Sequence, residues 1–140
     1  MVETAVLLAA LCGPGSLGLA PHFDRASHRW HVPAPVLVSV ARIESMCSPD
    51  ADDGQGDLGV MQVRVGTRAA RGHSRAELLR ARLNIDLGAR HLRHLWDLCG
   101  DLPAALGVYT GLHTCSQGRR SKRARDVLNL AAQASHEGES

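Results

Sequence analysis

The sequence predicts a mainly helical domain, and three observations predict it. Few stretches alternate in the manner of strands, whereas apolar residues from Ile85 to Cys99 recur at helical spacing. Aromatic residues are scarce, limited to Phe23, Trp30, Trp96 and Tyr109, so Leu, Val and Ala must build the core by close helix packing. The chain has 140 residues, 44% of them apolar, which suits a single domain able to bury an ordinary core.

Each element can be read in order. Glu3 to Cys12 forms a short helix, and Gly13-Pro14-Gly15 stops it. Phe23 to Trp30 forms a second. Val32-Pro33-Ala34-Pro35 is a turn, with Pro35 suited to the first position of the next helix. That helix carries Val36, Leu37, Val38, Val40, Ala41 and Ile43 on nearly every side, the mark of a helix buried at the domain centre. Its last turn carries Arg42, Glu44 and Ser45, and Ser48-Pro49 ends it. A glycine-rich polar loop follows from Asp50 to Gly59, then a short strand or extended segment from Val60 to Val65. Ser74-Arg75-Ala76-Glu77 is a capping box that starts a helix. Asn84 reads as a fresh N-cap, followed by the stripe Ile85, Gly88, Leu92, Leu95, Trp96 and Cys99, with Gly88 placed to let another helix come close. Gly100 ends this helix and Pro103 opens the next, whose apolar body is Ala104 to Tyr109. The last helix spans about Arg120 to Ala134. The predicted organisation is an N-terminal helix or weak signal-like segment over 1–22, the main domain over 23–135, and a disordered tail over 136–140.

Net charge is +2, too small to imply nucleic-acid binding. The basic run Arg119 to Arg125 and the acidic stretch Asp50 to Asp57 read as solvated surface, the former with contact to an anionic polymer as its alternative. Cys12, Cys47, Cys99 and Cys115 allow three disulfide pairings, or free buried thiols, and the spacing selects none. Val6 to Cys12 lacks a Lys/Arg flank and is too short to span a bilayer, so it reads as a packed helix rather than a cleaved signal.

Glu44 is the main chemical candidate. A carboxyl leaving a buried helix loses solvation, its pKa rises, and it stays protonated near neutral pH, ready to donate to a leaving oxygen. Alone, the same residue would read as a salt-bridge partner of Arg42. His91, His94, Cys99, His113 and Cys115 are metal-ligand residue types without zinc-site spacing. The Asp50 to Asp57 loop fails the EF-hand pattern, so no metal and no cofactor are expected.

Three further segments give Glu44 its context: Ile43-Glu44-Ser45, Gly59-Val60-Met61-Gln62-Val63 and Val108-Tyr109-Thr110-Gly111. With Asn84-Ile85-Asp86-Leu87-Gly88 between the last two, and Pro49 and Ala51 after the Glu-Ser pair, they resemble in order and spacing the soluble lytic transglycosylase family, whose domain is goose-lysozyme-like. The resemblance covers roughly Phe23 to Asn129. It implies a lysozyme-like helical fold, peptidoglycan glycan strands as substrate, and Glu44 as the single acid and then base. It implies further that Ser45 holds the glutamate region and the substrate. The backbone of Gly59 to Met61 and the side chain of Gln62 would line the sugar cleft, the Met61 side chain would pack either against a sugar face or in the core, and Tyr109 and Thr110 would lie beside the reacting centre. Thr110 stands where the family has Asn, and Val108 where it has Ala. The alternatives are a lysozyme in which Asp53 or Asp57 holds the attacking water, and an inactive glycan-binding module. The resemblance also implies an extracytoplasmic or virion setting, with association in a larger wall-penetrating assembly as one expectation.

Overall fold

The computed structural model describes residues 2–139, with side chains through residue 136. Eight α-helices are found among them: α1 (Thr4–Cys12), α2 (Ala20–Trp30), α3 (Ala34–Ser45), α4 (Arg75–Leu78), α5 (Ala81–Cys99), α6 (Leu102–Tyr109), α7 (Cys115–Gly118) and α8 (Lys122–Glu139). Two short 3-10 helices, Pro14–Leu19 and Arg68–Ala70, join them. Between α3 and α4 lies a two-stranded antiparallel ribbon, β1 (Asp57–Leu58) and β2 (Val63–Arg64), in the register Asp57 to Arg64 and Leu58 to Val63. The fold is the mainly helical, lysozyme-like one expected, with a single short β segment.

Helix α3 is the centre. Val36, Leu37, Val38, Ser39, Val40 and Ala41 are all buried, and α1, α2 and α8 pack around it. The only polar side chain in that run, Ser39, satisfies its hydroxyl by donating to the Pro35 carbonyl at 2.7 Å. Helix α8 meets α3 with a stripe of small residues, Ala124, Val127, Ala131 and Ala134, whose spacing keeps them on one face. Helix α5 presents Ile85, Leu92 and Leu95 to the same core and packs against α2 and α6. Phe23 is the one fully buried aromatic ring, so aliphatic packing does carry the core.

Helix α1 belongs to this core. Leu7, Leu8 and Leu11 are buried, Thr4 hydrogen-bonds to Asp24, and Arg42 of α3 donates to the Leu11 carbonyl. Disulfides join Cys12 to Cys47 and Cys99 to Cys115, resolving the pairing that spacing left open.

Several elements differ from expectation. Asn84 is no N-cap: α5 begins at Ala81, and Asn84 is fully buried in its second turn. The 3-10 helix after Gly13 and helix α7 were not foreseen. Thr114 and Gln117 form a capping box that starts α7, but four residues carry too little periodicity to be noticed. Helix α8 starts at Lys122 and continues through Glu139, so its last turns occupy residues read as a tail; Ser140 lies outside the described residues.

Candidate active site

Helix α3 delivers Glu44 to the surface in its final turn. Met46 and Cys47, both at positive φ (55° and 63°), then reverse the chain into the loop. Ser45 fixes the junction: its hydroxyl donates to the Val60 carbonyl at 2.6 Å and lies 3.2 Å from that of Ala41. The helix end is thereby tied to the segment that follows β1.

That segment is held from below by Asn84. Its carboxamide accepts from the Met61 amide at 2.7 Å and donates to the Leu58 and Leu78 carbonyls, each at 2.7 Å. A buried amide side chain with three good partners is satisfied, and it pins three separate backbone segments. Gly59 is required there, because a Cβ would sit 2.5 Å from the Asn84 nitrogen, and its φ is +77°. Gly88 serves the same end on α5. A Cβ would fall 2.6 Å from that of Met61 and 2.9 Å from the Tyr109 hydroxyl. The close approach expected at Gly88 is therefore made by Tyr109 of α6 together with Met61.

Tyr109 donates its hydroxyl to the Met61 carbonyl at 2.8 Å, and its ring lies 5.5 Å from that of His91. Burial, then the negative charges of Glu44 and Asp57, push the phenol pKa well above its usual 10, so it is a neutral donor. Thr110 caps α6, its hydroxyl 2.8 Å from the Leu106 carbonyl and 3.3 Å from that of Gly107.

These elements border a cavity of about 460 Å³ lined by Glu44, Asp53, Asp57, Gln62, Tyr109 and Arg123, together with Arg64, Thr110 and Gly111. Glu44 Oε1 is sealed from solvent, and no protein group among the described residues donates a hydrogen bond to it. Desolvation raises the Glu44 pKa to about 7, with Asp57 and Asp53 adding to the effect and the Arg123 guanidinium opposing it. The other two carboxylates are otherwise engaged. Asp57 receives both ends of the Arg64 guanidinium, at 2.9 and 3.0 Å. Asp53 accepts from the Gln55 and Asp57 amides; hydrogen bonding with the Asp57 side chain and these amides lowers its pKa.

Of the residues read as candidates, Glu44, Gln62, Tyr109 and Thr110 meet at the cavity. Ser45, Gly59 and Met61 stand behind it. The Met61 side chain is fully buried, which favours core packing of the two readings given for it, and its carbonyl holds Tyr109. Gly59 is likewise buried under the loop instead of lining the cleft, and Ser45 is bound to carbonyls. Arg123, from the basic run read as solvated surface, borders the same cavity, as does Arg64. No sequence motif marked either one. The histidines noted earlier form no metal site, and no group of three potential ligands is found among the described residues. No helix is long and apolar enough to cross a membrane.

A helical, lysozyme-like domain with one proton-holding carboxyl at the head of a polar groove defines a class of glycan-acting proteins. Within it, the family model described as Transglycosylase SLT domain matches residues 21–129. The chain belongs to that family, and membership implies a lytic-transglycosylase type of action on peptidoglycan. A search of curated proteins returns no match.

Proposed function

We propose that this domain is a peptidoglycan lytic transglycosylase that cleaves the β-1,4 bond between N-acetylmuramic acid and N-acetylglucosamine, with Glu44 as its only acid/base. The observation that carries the reading is the Glu44 carboxyl: it borders the cavity, its Oε1 is buried with no hydrogen-bond donor among the described residues, and its pKa is raised to about 7. Such an acid is protonated over much of the neutral range, which the first step requires.

Glu44 donates its proton to the glycosidic oxygen as the bond from muramic C1 breaks, and the N-acetylglucosamine fragment leaves as an alcohol. The muramic N-acetyl oxygen closes on C1 and carries the positive charge. Glu44, now a carboxylate, takes the proton of the muramic 6-hydroxyl as that oxygen attacks C1 and displaces the acetyl oxygen. The product is a 1,6-anhydro ring, Glu44 is protonated again, and no water is consumed. Arg123 faces the carboxylate form and can steady it between the two steps. Gln62 and Tyr109 supply the polar walls, and Thr110 an oxygen at the rim.

The hydrolytic alternative has a specific basis, since Asp53 and Asp57 line the same cavity. Against it stands the engagement of both: a carboxylate held by Arg64, or by loop amides, is a poor base for water. The two disulfides support action outside the reducing cytoplasm, where peptidoglycan lies.

Mass spectrometry of digested peptidoglycan tests the proposal, with Glu44→Gln as control. Anhydro-ended fragments from the wild type and none from the folded variant are expected. Reducing ends in place of anhydro ends would establish hydrolysis, and undiminished cutting by Glu44→Gln would remove Glu44 from its role. No fragments from the wild type would point to a glycan-binding module.

A further inference from the structure

The cavity at Glu44 is one end of a longer groove. Asp57, Gln62, Arg64 and Tyr109 also line the next hollow, which extends to Arg68, Ala69 and His91. Those last three residues in turn line a third hollow, closed off by Arg71, Arg90 and His94. The groove therefore runs from a head that mixes carboxyl and guanidinium groups to a basic foot, and the foot is the smallest of the three spaces, about 160 Å³ against about 460 Å³ at the head. No carboxylate lines it.

Resting on the function proposed above, we propose that Arg68, Arg71 and Arg90 bind the free carboxylates of the peptide stems borne by the glycan strand that Glu44 cuts.

Several features point to an anionic ligand there. Among the described residues, none of these three guanidinium groups makes an ion pair or a side-chain hydrogen bond, whereas Arg29, Arg64, Arg75, Arg93 and Arg119 each have an aspartate. Arg90 is half-buried and set in place, its guanidinium carbon 5.5 Å from the centre of the Trp30 ring. Trp30 is itself fixed by donating its indole N–H to Asp86 at 3.0 Å. Arg71 caps the 3-10 helix at a left-handed φ of 51°, which directs the backbone at the foot of the groove. Burial and then the charges of Arg71, Arg29 and Arg68 disfavour the charged form of Arg90, with Asp86 opposing them, so the guanidinium groups at the foot repel one another. An anion relieves that repulsion, and guanidinium groups match carboxylates in geometry.

The peptide stem is favoured over a free phosphate polymer because it arrives attached. A strand seated at Glu44 holds its own stems at high effective concentration beside the groove. The foot is also small, suited to a side branch more than to further sugars.

The test compares wild type with Arg71→Gln/Arg90→Gln on two substrates: peptide-bearing glycan strands, and the same strands stripped by an amidase. The expected result is a KM about tenfold higher for the double variant on peptide-bearing strands, the effect of losing two solvent-accessible charge pairs. On stripped strands the two proteins should match. Equal behaviour on both substrates overturns the proposal. Arg71→Gln alone alters only an exposed side chain. It should give a smaller KM rise of the same pattern if the double variant melts early. Calorimetric titration with an N-acetylated acidic stem tripeptide separates this inference from the catalytic one. Tripeptide binding lost in the double variant upholds it even for a protein that cuts nothing, and absence of tripeptide binding by the wild type overturns it. Binding of a polyglycerol-phosphate chain in preference to the tripeptide would also overturn it, by assigning the foot to phosphate.

Discussion

At the scale of single residues, the proposed acid Glu44 carries a cost in stability. Its folded pKa of about 7 lies above the unfolded value of 4.5. Folding therefore takes up a proton between these values, and the stability tied to the protonated form is complete below pH 4.5 and lost as pH rises through 7. Glu44→Gln removes the charge at every pH. The variant should match the wild type near pH 4 and exceed it at pH 8 to 9 by on the order of 3 kcal/mol. Urea denaturation across that range reads the difference, and a constant gap would show that Glu44 is not buried as a charge. The same pKa predicts the rate profile: kcat/KM should fall about tenfold per pH unit above 7, because the first step needs the acid. Sequence made Glu44, Gln62, Tyr109 and Thr110 legible because each sits in a short motif that resembles a family's. It left the Met61 side chain open between cleft and core because a motif marks a segment, and whether a side chain in it faces the cleft or the core depends on what packs beneath. Arg123 escaped because a run of five basic residues from Arg119 to Arg125 gives no sign of which one turns inward.

At the scale of elements, the site is a loop mounted on two helices. Helix α3 was legible from its apolar residues on nearly every side, and the end of that helix located Glu44. The mount on α5 was not. Asn84 is a good N-cap residue in isolation. Here tertiary structure overrides that preference, since helix α5 begins three residues earlier and the carboxamide turns inward to hold the loop. Asn84→Ala would leave the Met61 amide and the Leu58 and Leu78 carbonyls buried without this partner. At about 1 kcal/mol or more for each unpaired group, the variant should lose roughly 3 kcal/mol. Its activity should fall further than stability alone explains, because the Met61 carbonyl that positions Tyr109 rides on the released segment. A denaturation midpoint equal to that of the wild type would show that the loop holds itself. Helix α7 follows a different logic. Gly107 and Gly118 allow its backbone to press directly on α6, a contact that leaves no apolar stripe to read.

At the scale of the whole molecule, a chain of 140 residues built on an aliphatic core is fastened at two places, and the fasteners differ in what they protect. Cys12–Cys47 closes a loop with a sequence separation of 35, and Cys99–Cys115 one of 16. On chain-entropy grounds each contributes about 3–4 kcal/mol, a large share of a small domain's stability of about 5–15 kcal/mol. Both replacements with serine should therefore lower the melting temperature by comparable amounts. Their effects on catalysis should part. Cys47 lies three residues beyond Glu44, within the reversal that starts the loop, and its bond anchors the end of α3 to α1 beside the Arg42 contact with Leu11. Cys99–Cys115 instead ties the end of α5 to α7, which lends no residue to the cavity lining. Measured well below both melting temperatures, Cys12→Ser/Cys47→Ser should lose kcat, while Cys99→Ser/Cys115→Ser keeps it. Equal losses would mean that the bonds serve global stability alone and that Ser45, through its bond to Val60, is sufficient to hold the glutamate.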